Sequence, residues 1–98
     1  MNPPVVLRRV AEAEFAHAID WYEDEQQGLG LRFAEEVRAT LAEIAKQPDC
    51  FAFAEGDIRE AKVKDFPYVI YYRIRPRRID VLSVFHQSRD PKEWQSRA

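Results

Sequence analysis

The sequence predicts an α+β domain of two layers, ordered β-α-α-β-β-β, in which an α-helical hairpin lies on one face of an antiparallel meander sheet. Three observations lead there. Residues 58–86 divide into the stretches Ile58-Arg-Glu-Ala-Lys-Val-Lys64, Tyr68-Val-Ile-Tyr-Tyr-Arg-Ile74 and Ile79-Asp-Val-Leu-Ser-Val-Phe-His86, rich in apolar, β-branched and aromatic residues. The breaks between them, Asp65-Phe66-Pro67 and Arg75-Pro76-Arg77-Arg78, contain proline and are short, and connections this tight favour antiparallel neighbours. Upstream, two segments with helical spacing flank Gln27-Gly28-Leu29-Gly30, and a connection that short folds two helices back on each other.

Taken in order, Val5 to Val10 reads as a short strand behind the stiff Pro3-Pro4. Ala11 to Gln26 is helical by pattern: Phe15, Ala18, Ile19 and Tyr22 share a stripe, and Glu12, Asp20, Glu23 and Asp24 lie mostly off it. Gly28 is free to take the left-handed conformation that closes a helix. The second helix runs from Leu31 to Lys46 on a stripe of Phe33 or Ala34, Val37, Leu41 and Ile44, and Pro48 ends it. Gln47 to Asp57 reads as a connector whose Phe51 and Phe53 fold back over the core. After the meander, Pro91 opens a short terminal turn through Trp94 to Arg97. With no internal repeat and no dividing linker, residues 1–98 form a single domain.

Composition narrows the class. The chain is 46% apolar and 33% charged, suited to one modest core with a solvated surface. No apolar run approaches the ~20 residues of a membrane span, and the N-terminus lacks the basic and apolar regions of a secretory signal. Cys50 is the single cysteine, so an intrachain disulfide is excluded and a reducing, cytoplasmic setting is expected. Two histidines and one cysteine far apart give no metal-ligand spacing, and no cofactor is expected. The net charge of -2 argues against a chain whose main task is gripping nucleic acid. It hides a division, however. Residues 1–48 carry five basic and nine acidic side chains, net -4; residues 49–98 carry ten and eight, net +2.

Four segments in register resemble the RelE/ParE toxins of type II toxin–antitoxin systems. They are Glu14-Phe15 with Ile19-Asp20-Trp21-Tyr22-Glu23; Gly28-Leu29-Gly30 with Arg32-Phe33 and Glu36-Val37; Phe66 to Ile74; and Val84-Phe85-His86 with Arg89-Asp90-Pro91 and Trp94. The ParE-like, plasmid-stabilisation branch is the nearer. The resemblance implies a small bacterial cytoplasmic toxin, neutralised by a cognate ParD-like antitoxin and often assembled with it as a heterotetramer. ParE-like members are associated with inhibition of DNA gyrase; RelE-like members cleave messenger RNA on the ribosome. The nucleases place an arginine after the aromatic residue opening the penultimate strand and keep a late tyrosine. Here Val69 follows Tyr68 and no tyrosine follows Tyr72, which ranks a docking toxin first and a ribosome-dependent endoribonuclease second. A copy decayed into an antitoxin-binding module is a third reading.

Within that frame, several residues carry two readings. His86 and Arg89 could hold a scissile phosphate in the nuclease reading; otherwise the histidine bonds locally and Arg89 pairs with Asp90 to fix the tail. Trp94 joins these two on the expected toxicity surface. Arg59, Lys62 and Lys64 form a cationic face for an acidic antitoxin segment, or a solvated sheet face that resists edge pairing. Trp21, Leu29 and Leu31 either receive the antitoxin's apolar anchors or cap the hairpin. Tyr68, Tyr71 and Tyr72 split between the sheet faces, stacking on a base or packing against neighbouring strands. His17 reads as surface or filler, and Cys50 as an inert loop thiol.

Overall fold

Alternation along the three long strands sends side chains to both faces of the sheet, and both faces find cover. The computed structural model describes residues 3–97. Its elements are β1 (Val5–Leu7), α1 (Arg9–Glu25), α2 (Leu29–Lys46), β2 (Phe53–Glu55), β3 (Ile58–Lys62), β4 (Tyr68–Ile74), β5 (Ile79–His86) and α3 (Lys92–Gln95), with a 3-10 turn at Pro48–Cys50. The expected two-layer α+β architecture is what forms. The sheet order is β1-β5-β4-β3-β2: β2 to β5 form the antiparallel meander, and β1 joins β5 in parallel, Val5 opposite Ile79.

The helical hairpin covers one face. Ala11, Ala18 and Tyr22 of α1 and Phe33, Val37 and Ile44 of α2 pack on Ala61, Val63, Ile70, Tyr72, Ile79, Val81 and Val84. On the other face Ile58, Leu82 and Phe85 are buried under Trp94 of α3, whose ring stacks on Tyr71 with centroids 3.8 Å apart. Both sides of β5 are therefore covered, and Ile79 to Phe85 are all buried. Burial of the five apolar side chains among them, Ile79, Val81, Leu82, Val84 and Phe85, at roughly 1.5–3 kcal/mol each makes β5 the spine of the domain.

The helices approach closely where Gly30 faces α1. A Cβ there would sit 2.6 Å from the Ile19 carbonyl oxygen, so only glycine fits. Gly28 adopts the left-handed conformation expected of it, φ 87°. The Glu23 carboxylate reaches from α1 to accept the N–H groups of Gly28 and Gly30, at 3.0 and 3.1 Å. A cap supplied by the preceding helix lets α2 begin at Leu29, two residues ahead of the sequence expectation.

Three further boundaries differ from expectation. The first strand ends at Leu7 rather than Val10, because β5 offers partners only at Ile79–Val81 and α1 starts at Arg9. The third-from-last strand stops at Lys62, although the Val63 N–H still bonds the Tyr68 carbonyl. Within the expected connector, Phe53–Glu55 adds the short irregular strand β2 on the edge of β3. A register slip between Tyr71 and Tyr72 leaves Leu82 without an opposed residue on β4.

Tyr72 ties the sheet to the end of α2. Its ring is fully buried and its hydroxyl donates to the Pro48 carbonyl. Burial pushes the phenol up to about 12. Because that value lies above the unfolded one near 10, the neutral phenol stabilises the fold fully below pH ~10. The contribution, on the order of 2–3 kcal/mol, is lost as pH rises from about 10 to 12. Tyr72→Phe is therefore expected to cost about 1 kcal/mol at neutral pH. In urea titrations the gap between the two proteins should close and then change sign as the pH is raised through that window; a constant gap would contradict the assignment.

Candidate functional site

Helical periodicity and strand register converge on one end of the molecule. The last turns of α1 bring Trp21 and Tyr22, the first residue of β4 is Tyr68, and His86 ends β5 directly opposite it. Arg89 follows in the exit loop. These five residues line a cleft of about 240 Å³. Its walls are aromatic and packed edge to face. Tyr68 meets His86 at 5.0 Å and 79°, and Trp21 meets Tyr22 at 5.2 Å and 85°. Phe33 lies behind them, 5.0 Å from Tyr22, 4.9 Å from Tyr68 and 5.1 Å from Phe66.

The protonation chemistry of the cleft is constrained by its geometry. Ser88 donates its backbone N–H to His86 Nδ1 at 3.0 Å. A backbone amide only donates, so Nδ1 is the acceptor and the neutral ring carries its proton on Nε2. His86 thus offers a donor, not a base, from the other ring nitrogen. Burial raises the Tyr22 and Tyr68 phenols above their ordinary value, so both are neutral hydroxyls at physiological pH. Arg89 pairs with Glu93 rather than with Asp90, one helical turn on, and its guanidinium lies 5.8 Å from the Phe85 ring centroid. The cleft presents π faces, hydroxyls and one half-exposed cation.

A part-buried polar network ties α1, β5 and the C-terminal residues together. The Glu14 carboxylate accepts from Ser83 Oγ at 2.8 Å, from the Val84 N–H at 3.1 Å and from Arg97 Nη1 at 3.1 Å. Arg8 pairs with Asp80 at 2.9 Å and donates to the Arg97 carbonyl at 2.8 Å. β1 covers the β5 edge only as far as Val81; beyond it Glu14 satisfies a ladder N–H that would otherwise be an open strand edge.

The residues singled out from sequence fall into separate places. Trp21, His86 and Arg89 come together in the cleft. Leu31 lies outside it, with 61% of its surface exposed beside Trp21's 60%, and Leu29 packs half-buried on the core. Lys62 and Lys64 are exposed near the β3–β4 turn, which the Arg32–Asp65 pair ties to the start of α2. Arg59 is not free in the same way: Nη1 donates to the Asp49 and Phe51 carbonyls, and the guanidinium lies 3.9 Å from the Phe53 ring centroid. Trp94, expected on an outward surface, is instead 3% exposed and serves as a core plug, because stacking on Tyr71 covers apolar sheet. Sequence reasoning weighed Tyr68 only as one of three tyrosines that stack on a base or pack between strands, and it missed the cleft role of Tyr22 and the Glu14–Arg97 pair. One signal was present: Glu14 lies on the same helical stripe as Ala11 and Ala18, where an acid demands a partner. Among the described residues, no cluster of three or more His, Cys, Asp or Glu side chains is placed to hold a metal ion. Nor is any helix long and apolar enough to cross a membrane.

Comparison with known proteins agrees with this geometry. The family described as "ParE toxin of type II toxin-antitoxin system, parDE" matches residues 5–91. Among curated proteins, none matches. Among solved structures, the fold is similar to a chain of the "Chromosomal ParDE TA system from P. aeruginosa", with TM-score 0.73 at 16% identity, covering 86% of this chain and 95% of that one.

Proposed function

Because this chain belongs to the ParE toxin family of type II toxin–antitoxin systems, we propose that it poisons a cellular target, DNA gyrase in the first instance, by docking rather than by breaking bonds. The supporting observation is the state of the cleft. His86 has its Nδ1 engaged by Ser88, the two tyrosines are held neutral, and Val69 stands where a nuclease of the related RelE type would carry an arginine. General acid–base cleavage needs a free base within reach of the reacting hydroxyl, and these five residues supply none. They supply instead an aromatic wall with one cation, the composition of a protein-recognition anchor site.

The cognate antitoxin, ParD-like, is proposed to hold the toxin inactive. The exposed Trp21 and Leu31 offer seats for apolar side chains, with Leu29 behind them. Lys62 and Lys64 face solvent for acidic ones, and Arg59 adds charge on the far side of β3. A toxin–antitoxin heterotetramer acting in the cytoplasm completes this reading.

The convergence of Tyr68, His86 and Arg89 in one cleft also favours a second reading, a ribosome-dependent endoribonuclease. One experiment separates the two. Antitoxin-free protein is added to a gyrase supercoiling reaction and, in parallel, to a translation mixture whose messenger is mapped for cuts. Docking predicts loss of supercoiling with intact messenger, and undiminished supercoiling at large molar excess removes gyrase. Messenger cut at codon-defined positions, and spared by His86→Ala, would overturn the docking reading.

A further inference from the structure

We propose that the turn joining β4 to β5 is a second binding site, a cationic tip that grips the phosphate backbone of duplex nucleic acid without regard to sequence. The proposal rests on where the guanidinium groups are spent. Arg8, Arg32, Arg73, Arg89 and Arg97 each pair with a carboxylate, and Arg59 donates to two carbonyls. Arg75, Arg77 and Arg78 are exposed and, among the described residues, form no ion pair; Arg9 and Arg38 are unpaired as well, but they sit apart on α1 and α2, whereas the other three share one turn. Three arginines in four residues thus stand unneutralised in a chain whose formal charge is -2. Crowding like charges on one turn opposes folding of that turn unless a polyanion is there to meet it.

The turn is built to hold them in place. The Arg75 N–H bonds the Arg78 carbonyl at 2.8 Å, closing the hairpin just beyond the Ile74–Ile79 pair. Pro76 fixes one backbone angle at its apex. The four residues surround a shallow hollow of about 400 Å³. The tip lies at the Ile74–Ile79 end of the β4–β5 ladder, and the aromatic cleft lies at the Tyr68–His86 end, so both can be occupied at once.

The chemistry selects the partner. A protein interface needs an apolar centre of aromatic or aliphatic anchors, and Ile74 and Pro76 are the tip's only apolar offerings. Single-stranded nucleic acid is bound by stacking its bases on aromatic rings, of which residues 75–78 have none. Guanidinium groups alone match the dense, sequence-independent charge of a duplex backbone, which they contact bidentately.

The test is fluorescence anisotropy with the full chain and a short labelled duplex of arbitrary sequence. Three phosphate contacts give a slope of log affinity on log salt of about -2.7, a loss of roughly 40-fold between about 50 and 200 mM salt. Arg75→Gln/Arg77→Gln/Arg78→Gln, with its fold checked by circular dichroism, should lose at least tenfold at low salt. Lys46→Gln/Lys92→Gln, which removes charge elsewhere, should stay within twofold of the parent. The proposal is overturned by absence of duplex binding at low salt, by equal losses in the two variants, or by tighter binding of a labelled oligoglutamate of matched charge.

Discussion

Glu14→Ala is expected to destabilise the protein by about 3–5 kcal/mol, a large share of the 5–15 kcal/mol that domains of this size possess. The carboxylate is 10% exposed and its partner Arg97 19%, so the pair is screened little by solvent. Removing the acid strands three donors together: the Arg97 guanidinium, the Ser83 hydroxyl and the Val84 amide at the open edge of β5. Each degree of loss is visible in melting, at roughly 4–8 °C per kcal/mol for a chain of this length. A double variant, Glu14→Leu/Arg97→Leu, removes both charges and should recover much of the loss, because two paired ions gain little over packed apolar groups. If Glu14→Ala melts within a few degrees of the parent, the network is not a structural keystone. If the double variant is no better than the single, the cost lies in the lost amide and hydroxyl bonds rather than in the stranded cation.

That network marks the boundary of what the residues disclose on their own. The three meander strands were legible because each carries its own alternation and its own proline-bearing break. Gly28 was legible because a left-handed turn restricts residue choice. The start of α2 was not, since the cap comes from Glu23 on the previous helix, a contact that exists only once the hairpin has closed. β2 escaped notice because Phe53-Ala54-Glu55 is too short to show a period, and its strand character comes from pairing with β3. Trp94 read as an outward aromatic because the outer sheet face was expected to be solvated. Ile58, Leu82 and Phe85 on that face could not be assigned a cover from local pattern. At the site, His86 and Arg89 drew attention as a pair at the exit of the last strand, and Trp21 separately as an off-stripe aromatic. Their convergence depends on the Tyr68–His86 register and on the line α1 takes across the sheet, which are tertiary facts. The tip cations are of the same kind: Arg75, Arg77 and Arg78 differ from the six engaged arginines in having, among the described residues, no carboxylate or carbonyl partner, and from the equally unpaired Arg9 and Arg38 in standing together on one turn.

Phe33→Ala carries the second large effect and links the core to the cleft. The ring is fully buried and contacts four other aromatic rings, those of Phe15, Tyr22, Phe66 and Tyr68. Truncating a ring in such a place removes its transfer energy and leaves a void, a combined cost of about 3–5 kcal/mol. Tyr22 and Tyr68 are both cleft walls and neighbours of that void. They lose their backing before the sheet loses its ladders, so damage to recognition should precede damage to the fold. Phe33→Leu fills more of the space and should cost less than half as much, with the wall still supported. Calorimetry on the two variants measures the first quantity, and titration with the cognate antitoxin segment at a temperature where both remain folded measures the second. A weakened Phe33→Ala complex beside a near-native Phe33→Leu one would show that the aromatic wall is held rigid from behind. Equal affinities in both would mean that partner binding depends on the exposed Trp21 and Leu31 alone, and that the buried rings serve stability without shaping the cleft.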